Sequence, residues 1–228
     1  MAIRLLPYRQ YDEQDVVNLF SFGDAPNAKP SASSEADAGV LVKVDNADLS
    51  APPVEYLSSH DLLGKTNYPH VARNGYPQVP LKVVASDGGD GALGITLNQT
   101  CTHDENDENL LRYPQKKAEL FAVTSGEAVP IATKGIFTFD SSAVTKVKCT
   151  DAAASNGADG STSADWAVDG THNKYAVGVA DGKISLSNDG SGNVVGKVLG
   201  TGKRTAQTEN DQFAGSDSSH YVVVKLDL

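Results

Sequence analysis

From residue 40 onward the chain offers only short runs of β-forming residues, each cut off by turn chemistry, and this punctuation limits its fold more than any other feature. Val40-Leu41-Val42-Lys43-Val44, Leu81-Lys82-Val83-Val84, Leu93-Gly94-Ile95-Thr96-Leu97, Ile136-Phe137-Thr138-Phe139, Tyr175-Ala176-Val177-Gly178-Val179 and Tyr221-Val222-Val223-Val224-Lys225-Leu226 are rich in β-branched and aromatic residues. Between them stand Asp87-Gly88-Gly89-Asp90-Gly91, Asp181-Gly182 and Asn188-Asp189-Gly190-Ser191-Gly192-Asn193, whose residues accept positive φ and close hairpins. Many short strands with few helical windows predict an all-β fold, a β-sandwich or β-barrel with long loops.

Ahead of this region the organisation changes. Residues 8 to 22 lack Gly and Pro, with charges first and apolar residues last. Asp12 and Asp15 before Val16, Leu19 and Phe20 suit a short capped helical turn, while alternation at Val17 and Leu19 suits a strand. The stretch from Gly23 to Gly39, rich in Ala, Ser, Pro and Asp, reads as a linker. The expected division is therefore an N-terminal arm and linker over 1–39 and a β-rich domain over 40–228. Within the latter, Pro52, Pro53, Pro69, Pro77 and Pro80 make 51–80 an extended connection, because proline removes a backbone donor and fixes φ. Two readings of residues 1–22 stay open: an arm that docks on a neighbour, or a cover for the chain's own core.

Charge and cysteine usage then narrow the function classes. With 19 Lys plus Arg against 29 Asp plus Glu, the net charge of −10 gives no footprint for nucleic acid or an anionic bilayer. No stretch approaches the roughly 18 consecutive apolar residues of a membrane-spanning helix. The start, Met1-Ala2-Ile3-Arg4-Leu5-Leu6-Pro7, lacks the apolar core of a secretory signal, so Cys101 and Cys149 are expected as reduced thiols in a protein made in the cytoplasm.

Catalytic and metal signatures are weak. His60, His70, His103, His172 and His220 show no zinc-ligand spacing, and Asp104-Glu105-Asn106-Asp107-Glu108-Asn109 lacks the central glycine and order of a calcium loop. That acidic run reads as an exposed excursion, a solvated face. Neither Ser125-Gly126 nor Ser191-Gly192 forms a nucleophile elbow, and a strand would point Cys101 and His103 to opposite faces. The Gly196-to-Lys203 stretch fails the phosphate-loop order because Arg204 follows Lys203, which leaves a strand and a hairpin. Trp166 reads as a core or interface anchor rather than a sugar platform. No cofactor, no metal and no enzymatic activity are expected.

Ser125-Gly126-Glu127-Ala128-Val129-Pro130-Ile131-Ala132-Thr133-Lys134-Gly135-Ile136-Phe137 follows a Ser-Gly-x-x-Val-Pro-x-x-Thr-x-Gly-x-Phe phrase. With Tyr113 to Leu120 before it, Val195 to Gly200 and the valine-rich Tyr221 to Leu228 after it, and the opening Tyr8 to Phe20, the chain resembles head decoration, or cement, proteins of tailed phages. It is most similar to capsid-associated proteins of marine and cyanobacterial phages. Residues 24–80 and 140–175 contribute little to this resemblance. It implies a β-rich virion protein on the outer capsid surface, often trimeric, that ties neighbouring major capsid subunits together against internal DNA pressure. It carries over no catalytic residue. On the arm reading, Leu5, Leu6, Tyr8, Arg9, Tyr11, Val16, Leu19 and Phe20 are the expected capsid-binding residues, with the major capsid protein as partner. The competing expectation is a receptor- or glycan-binding virion module, a head fibre or tail-associated part, since exposed loops on all-β scaffolds bind glycans well.

Overall fold

A computed structural model of the chain describes residues 5–22, 36–47, 79, 81–88, 91–110, 112–124, 126–140, 144–145, 174–187, 190, 192–203 and 220–228. The strands are β1 (Leu5–Gln10), β2 (Val16–Val17), β3 (Ser21–Phe22), β4 (Leu41–Asn46), β5 (Lys82–Ala85), β6 (Gly94–Thr96), β7 (Gln99–Thr100), β8 (Ala122–Val123), β9 (Ile131–Ala132), β10 (Lys134–Asp140), β11 (Val144–Thr145), β12 (Tyr175–Val179), β13 (Lys183–Ser187), β14 (Val194–Lys203) and β15 (His220–Asp227). Among the described residues there is one short α-helix, α1 (Pro114–Glu119), which begins with proline at its first position, where no intrahelical N–H is needed.

The strands form a seven-stranded sheet, β1-β10-β15-β14-β12-β13-β11, a six-stranded sheet, β2-β9-β6-β4-β5-β3, and a two-stranded pair, β7-β8. Among the described residues neither large sheet closes on itself, so the fold is all-β and sandwich-like rather than a barrel. All six strand runs expected from composition lie in β4, β5, β6, β10, β12 and β15. The Pro-rich connection at 51–80, apart from Val79, lies outside the described residues, as do Cys149 and Trp166.

Alternation explains the seven-stranded sheet. In β12 and β13 every second residue is buried, and in β15 Val222, Val224 and Leu226 point inward. These side chains, with Phe137 and Phe139 of β10, pack against Leu41, Ile95 and Ala132 of the six-stranded sheet to form the main core. The six-stranded sheet is apolar on its other face too, where Val42, Val83 and Ile131 join Phe22, Val123 and Val129. Burial on both faces is why Val40-Leu41-Val42 is a continuous apolar run rather than an alternating one.

The β12–β13 hairpin turns at Asp181 and Gly182, both with positive φ (61° and 62°), as the Asp-Gly pair leads one to expect. Gly182 has a second task. Its N–H donates to the Ser86 carbonyl at 2.9 Å. A Cβ there would lie 2.4 Å from Val40 Cγ1, so the hairpin tip closes directly onto the six-stranded sheet.

Candidate functional site

The expected capsid-binding residues sit in a segment that the structure lays into the chain's own sheets. β1 pairs antiparallel with β10 at the outer edge of the seven-stranded sheet, β2 pairs with β9 at the outer edge of the six-stranded sheet, and β3 pairs with β5 at its far edge. Between β1 and β2 the chain makes one 3-10 turn, Glu13–Asp15, capped by Asp12, whose Oδ1 accepts from the Gln14 N–H at 3.0 Å. Both local readings of this stretch are thus partly realised, a capped turn between two strands. Of the two readings of residues 1–22, a docking arm or a cover for the chain's own core, the described part, 5–22, fits the second: it forms a border common to both sheets. Its cause is the backbone pairing that these extended residues find at the two sheet edges.

The eight residues divide accordingly. Leu6 is buried, and Leu5 and Val16 pack against the main core, as Phe20 does against the second one. Tyr8 and Leu19 are 78% and 60% exposed, and Arg9 and Tyr11 also face solvent, the Arg9 guanidinium carbon 6.0 Å from the centre of the Tyr11 ring.

What holds this border in place is the Ser125-to-Phe137 phrase. Val129 N–H donates to the Phe20 carbonyl at 2.8 Å, and the Thr133 N–H and hydroxyl both donate to the Asp15 carbonyl, at 2.9 and 3.0 Å. Gly135, with φ 137°, leaves room where a Cβ would come 2.7 Å from the Gln10 carbonyl oxygen. Two residues on, Phe137 stacks on Tyr11 at 5.7 Å between ring centres. Two of the stretches that carry the resemblance, 8–20 and, in its described part, 126–137, are therefore partners in one contact.

A second group of polar residues lies in a small lobe over residues 99–127, built from β7, β8, α1 and the turn between β7 and α1. The acidic run at 104–109 is exposed over Glu105 to Glu108, as expected of a solvated face, but its first residue turns inward. His103 and Asn109 bridge, the Asp104 N–H donates to the Glu108 carbonyl at 3.0 Å, and Asp107 takes a left-handed φ of 70° to close the turn. This folds Asp104 inward until it is 0% exposed. Its Oδ1 accepts from the N–H groups of Asn106 and Glu108, both at 2.8 Å, while its Oδ2, also buried, has no hydrogen-bond partner. Beside it opens a cleft of about 460 Å³ lined by Asp104, Asn106, Glu108, Arg112, Tyr113 and Lys116, among others.

Two ion pairs tie α1 to its surroundings. Lys116 donates to Glu105 at 2.8 Å; this bond, with the charges of Asp104 and Glu119 nearby, holds the ammonium above its usual range, and the same bond, with the Lys116 charge, holds the Glu105 carboxyl below its own. Lys117 donates to Glu127 at 2.7 Å, and Glu127 in turn accepts from the N–H and hydroxyl of Thr124, both at 2.9 Å. Under the lobe, Cys101 is buried, and burial together with the charge of Asp37 pushes its thiol up to about 11. It is protonated at neutral pH and packs with Leu110 and Ala122 as a small apolar side chain. His103 sits with its Nδ1 2.9 Å from Thr102 Oγ1.

The lobe residues escape sequence reasoning because an acidic run looks solvated by composition. The one available signal is the Asp-x-Asn spacing at 104–106, which suits a carboxylate folding back on the N–H two residues ahead. Among the described residues no helix is long and apolar enough to cross a membrane, and no group of three or more His, Cys, Asp or Glu is placed to hold a metal ion. No family model, curated protein or solved structure matches the chain.

Proposed function

We propose that the chain is a virion structural protein that decorates the outer surface of a tailed-phage capsid and cements neighbouring major capsid subunits. The observation that supports this reading is the border segment. It is fixed by backbone pairing and by the Ser125-to-Phe137 phrase, yet it presents Tyr8, Arg9, Tyr11 and Leu19 to solvent. A backbone already fixed adds little ordering cost when a partner covers its exposed side chains, and Tyr and Arg are the residue types that most often dominate binding energy. Leu5, Leu6, Val16 and Phe20 act indirectly, by anchoring that border from within.

Attachment to an assembled lattice stabilises it by mass action, since the protein binds the assembled state and not free subunits. Cosedimentation with capsids stripped of this protein, at low and high salt, tests the reading. Deleting residues 1–22 would remove three strands, so the informative variant is Tyr8→Ala with Leu19→Ala, which empties the exposed border and leaves the pairing intact. The expected outcome is saturable binding at a fixed ratio to the major capsid protein, weakened at least ~10-fold in the double variant with its melting temperature unchanged. Absence of saturable binding, or equal binding by the variant, overturns it.

A further inference from the structure

None of the six residues of α1 is buried, and a helix this short gains little from its own hydrogen bonds. Two ion pairs, Lys116 to Glu105 and Lys117 to Glu127, tie it to the lobe. Pro114 and Ala118, four residues apart on one helix face, are both exposed. Two exposed rings bracket them: Tyr113 at the N-cap, 47% exposed, and Phe121 just past the C-cap, 64% exposed.

Phe121 is unfavourable twice over. Its φ of 48° lies in the left-handed region, from which its N–H closes the helix on the Ala118 carbonyl at 3.1 Å, a place that glycine fills without steric conflict. Most of the residue is also left in water, so little burial within the chain offsets that strain. A bulky side chain that strains the backbone and packs little inside its own chain points to a contact outside it.

The charges at the two ends decide which partner fits. Arg112 beside Tyr113 and Glu119 near Phe121 are exposed, while Lys116 and Lys117 between them are already paired with Glu105 and Glu127. The face is positive at its start and negative at its end. Two such faces laid antiparallel about a two-fold axis set Arg112 of each copy against Glu119 of the other, whereas a parallel arrangement sets like charges together.

We propose that α1 is a self-association surface on which a second copy of the chain packs antiparallel, with Phe121 and Tyr113 as apolar anchors and an Arg112–Glu119 pair at either end. This contact uses no residue of the N-terminal border. It can fail without capsid attachment failing, and the reverse.

Sedimentation velocity of the full-length protein from ~10 µM to ~1 mM tests it, since a contact centred on six helical residues is small beside a stable interface and should be weak. The expected result is a reversible monomer–dimer equilibrium. Phe121→Gly should weaken it ~10-fold or more while raising the melting temperature of the monomer, because glycine relieves the backbone as the anchor is lost. Arg112→Glu and Glu119→Arg should each weaken it ~10-fold by opposing like charges, and the two combined should restore it to within ~3-fold. A chain still monomeric at ~1 mM, an equilibrium unmoved by Phe121→Gly, a melting temperature that falls in that variant, or a combined charge exchange that fails to restore association overturns the proposal. So does loss of capsid cosedimentation in Phe121→Gly when the free chain is monomeric, which would give this face to the capsid instead.

Discussion

The sandwich and the small lobe at 99–127 are held together by different means. Between the two sheets, fourteen buried residues among those described, including Phe137 and Phe139, form one apolar cluster, and alternation along strands decides which side chains enter it. In the lobe the described residues form a small buried apolar cluster, Cys101, Leu110 and Ala122 with Leu120 against it, while Val123 joins the second core; much of the order comes from polar groups: Asp104 on its turn, Glu127 between Lys117 and Thr124, Gln99 on the Leu120 carbonyl. Burial of apolar area is non-directional and robust, whereas each polar contact depends on its partner's position. A scaffold of the first kind can carry a lobe of the second kind that offers chemistry to solvent.

If that contrast is sound, removing one ring from the main core should reach the whole molecule. Phe137→Ala, which also loses the stack on Tyr11, should destabilise by about 3–5 kcal/mol, read by chemical denaturation with one transition for all probes. A transition confined to the N-terminal border would break the picture of a single core. Glu127→Ala should act locally, costing about 1–3 kcal/mol in the lobe because it leaves the buried Thr124 without the carboxylate that accepts from its N–H and hydroxyl. Hydrogen exchange should then quicken at residues 99–127 and stay unchanged in β12, β13 and β15; loss of protection in both regions would show that the lobe and the sandwich unfold as one unit.

The smallest effect concerns pH. Cys101 keeps its proton in the folded chain up to about 11, while the unfolded thiol releases it near its ordinary value of 9.0. The native state therefore binds more protons across that window, and its stabilising share, full below about pH 9, is lost as pH rises towards 11. Unfolding midpoints measured from pH 8 to 11 should fall more steeply for the native sequence than for Cys101→Ala. Parallel curves would mean that the lobe admits water to the thiol and is looser than the sandwich by more than its contact chemistry suggests.

How much of this was legible follows from length and periodicity. Strands β4, β5, β6, β10, β12 and β15 announce themselves through β-branched and aromatic runs. Two-residue strands such as β2, β3, β7, β8 and β9 carry no period at all, and their existence is decided by which edge the chain passes. β13 holds only Ile184 and Leu186 as apolar residues among its five, too few to mark it by enrichment. Six residues of helix at α1 leave only Pro114 as a sign. The exposed part of the N-terminal border was within reach, since Tyr8, Arg9, Tyr11 and Leu19 stand in the block whose apolar end had to be buried somewhere. Which of its residues turn inward depends on β9 and β10, more than a hundred positions away. Asp104 was out of reach for a related reason: its burial comes from backbone geometry around Asp107, not from any apolar character of its neighbours.

The placement of β10 between β1 and β15 bears on how the protein is made. Residues 134–140 pair on one side with 5–10 and on the other with 220–227. During synthesis the earliest of these strands must therefore wait unpaired until residue 139 has emerged, and the central strand stays half-satisfied until residue 227 has left the ribosome. Such long-range pairing slows folding. It also leaves open β edges on a partly built chain, with Tyr8 and Leu19 beside them, so nascent copies made close together on one message are at risk of pairing with one another before each completes its own sheet.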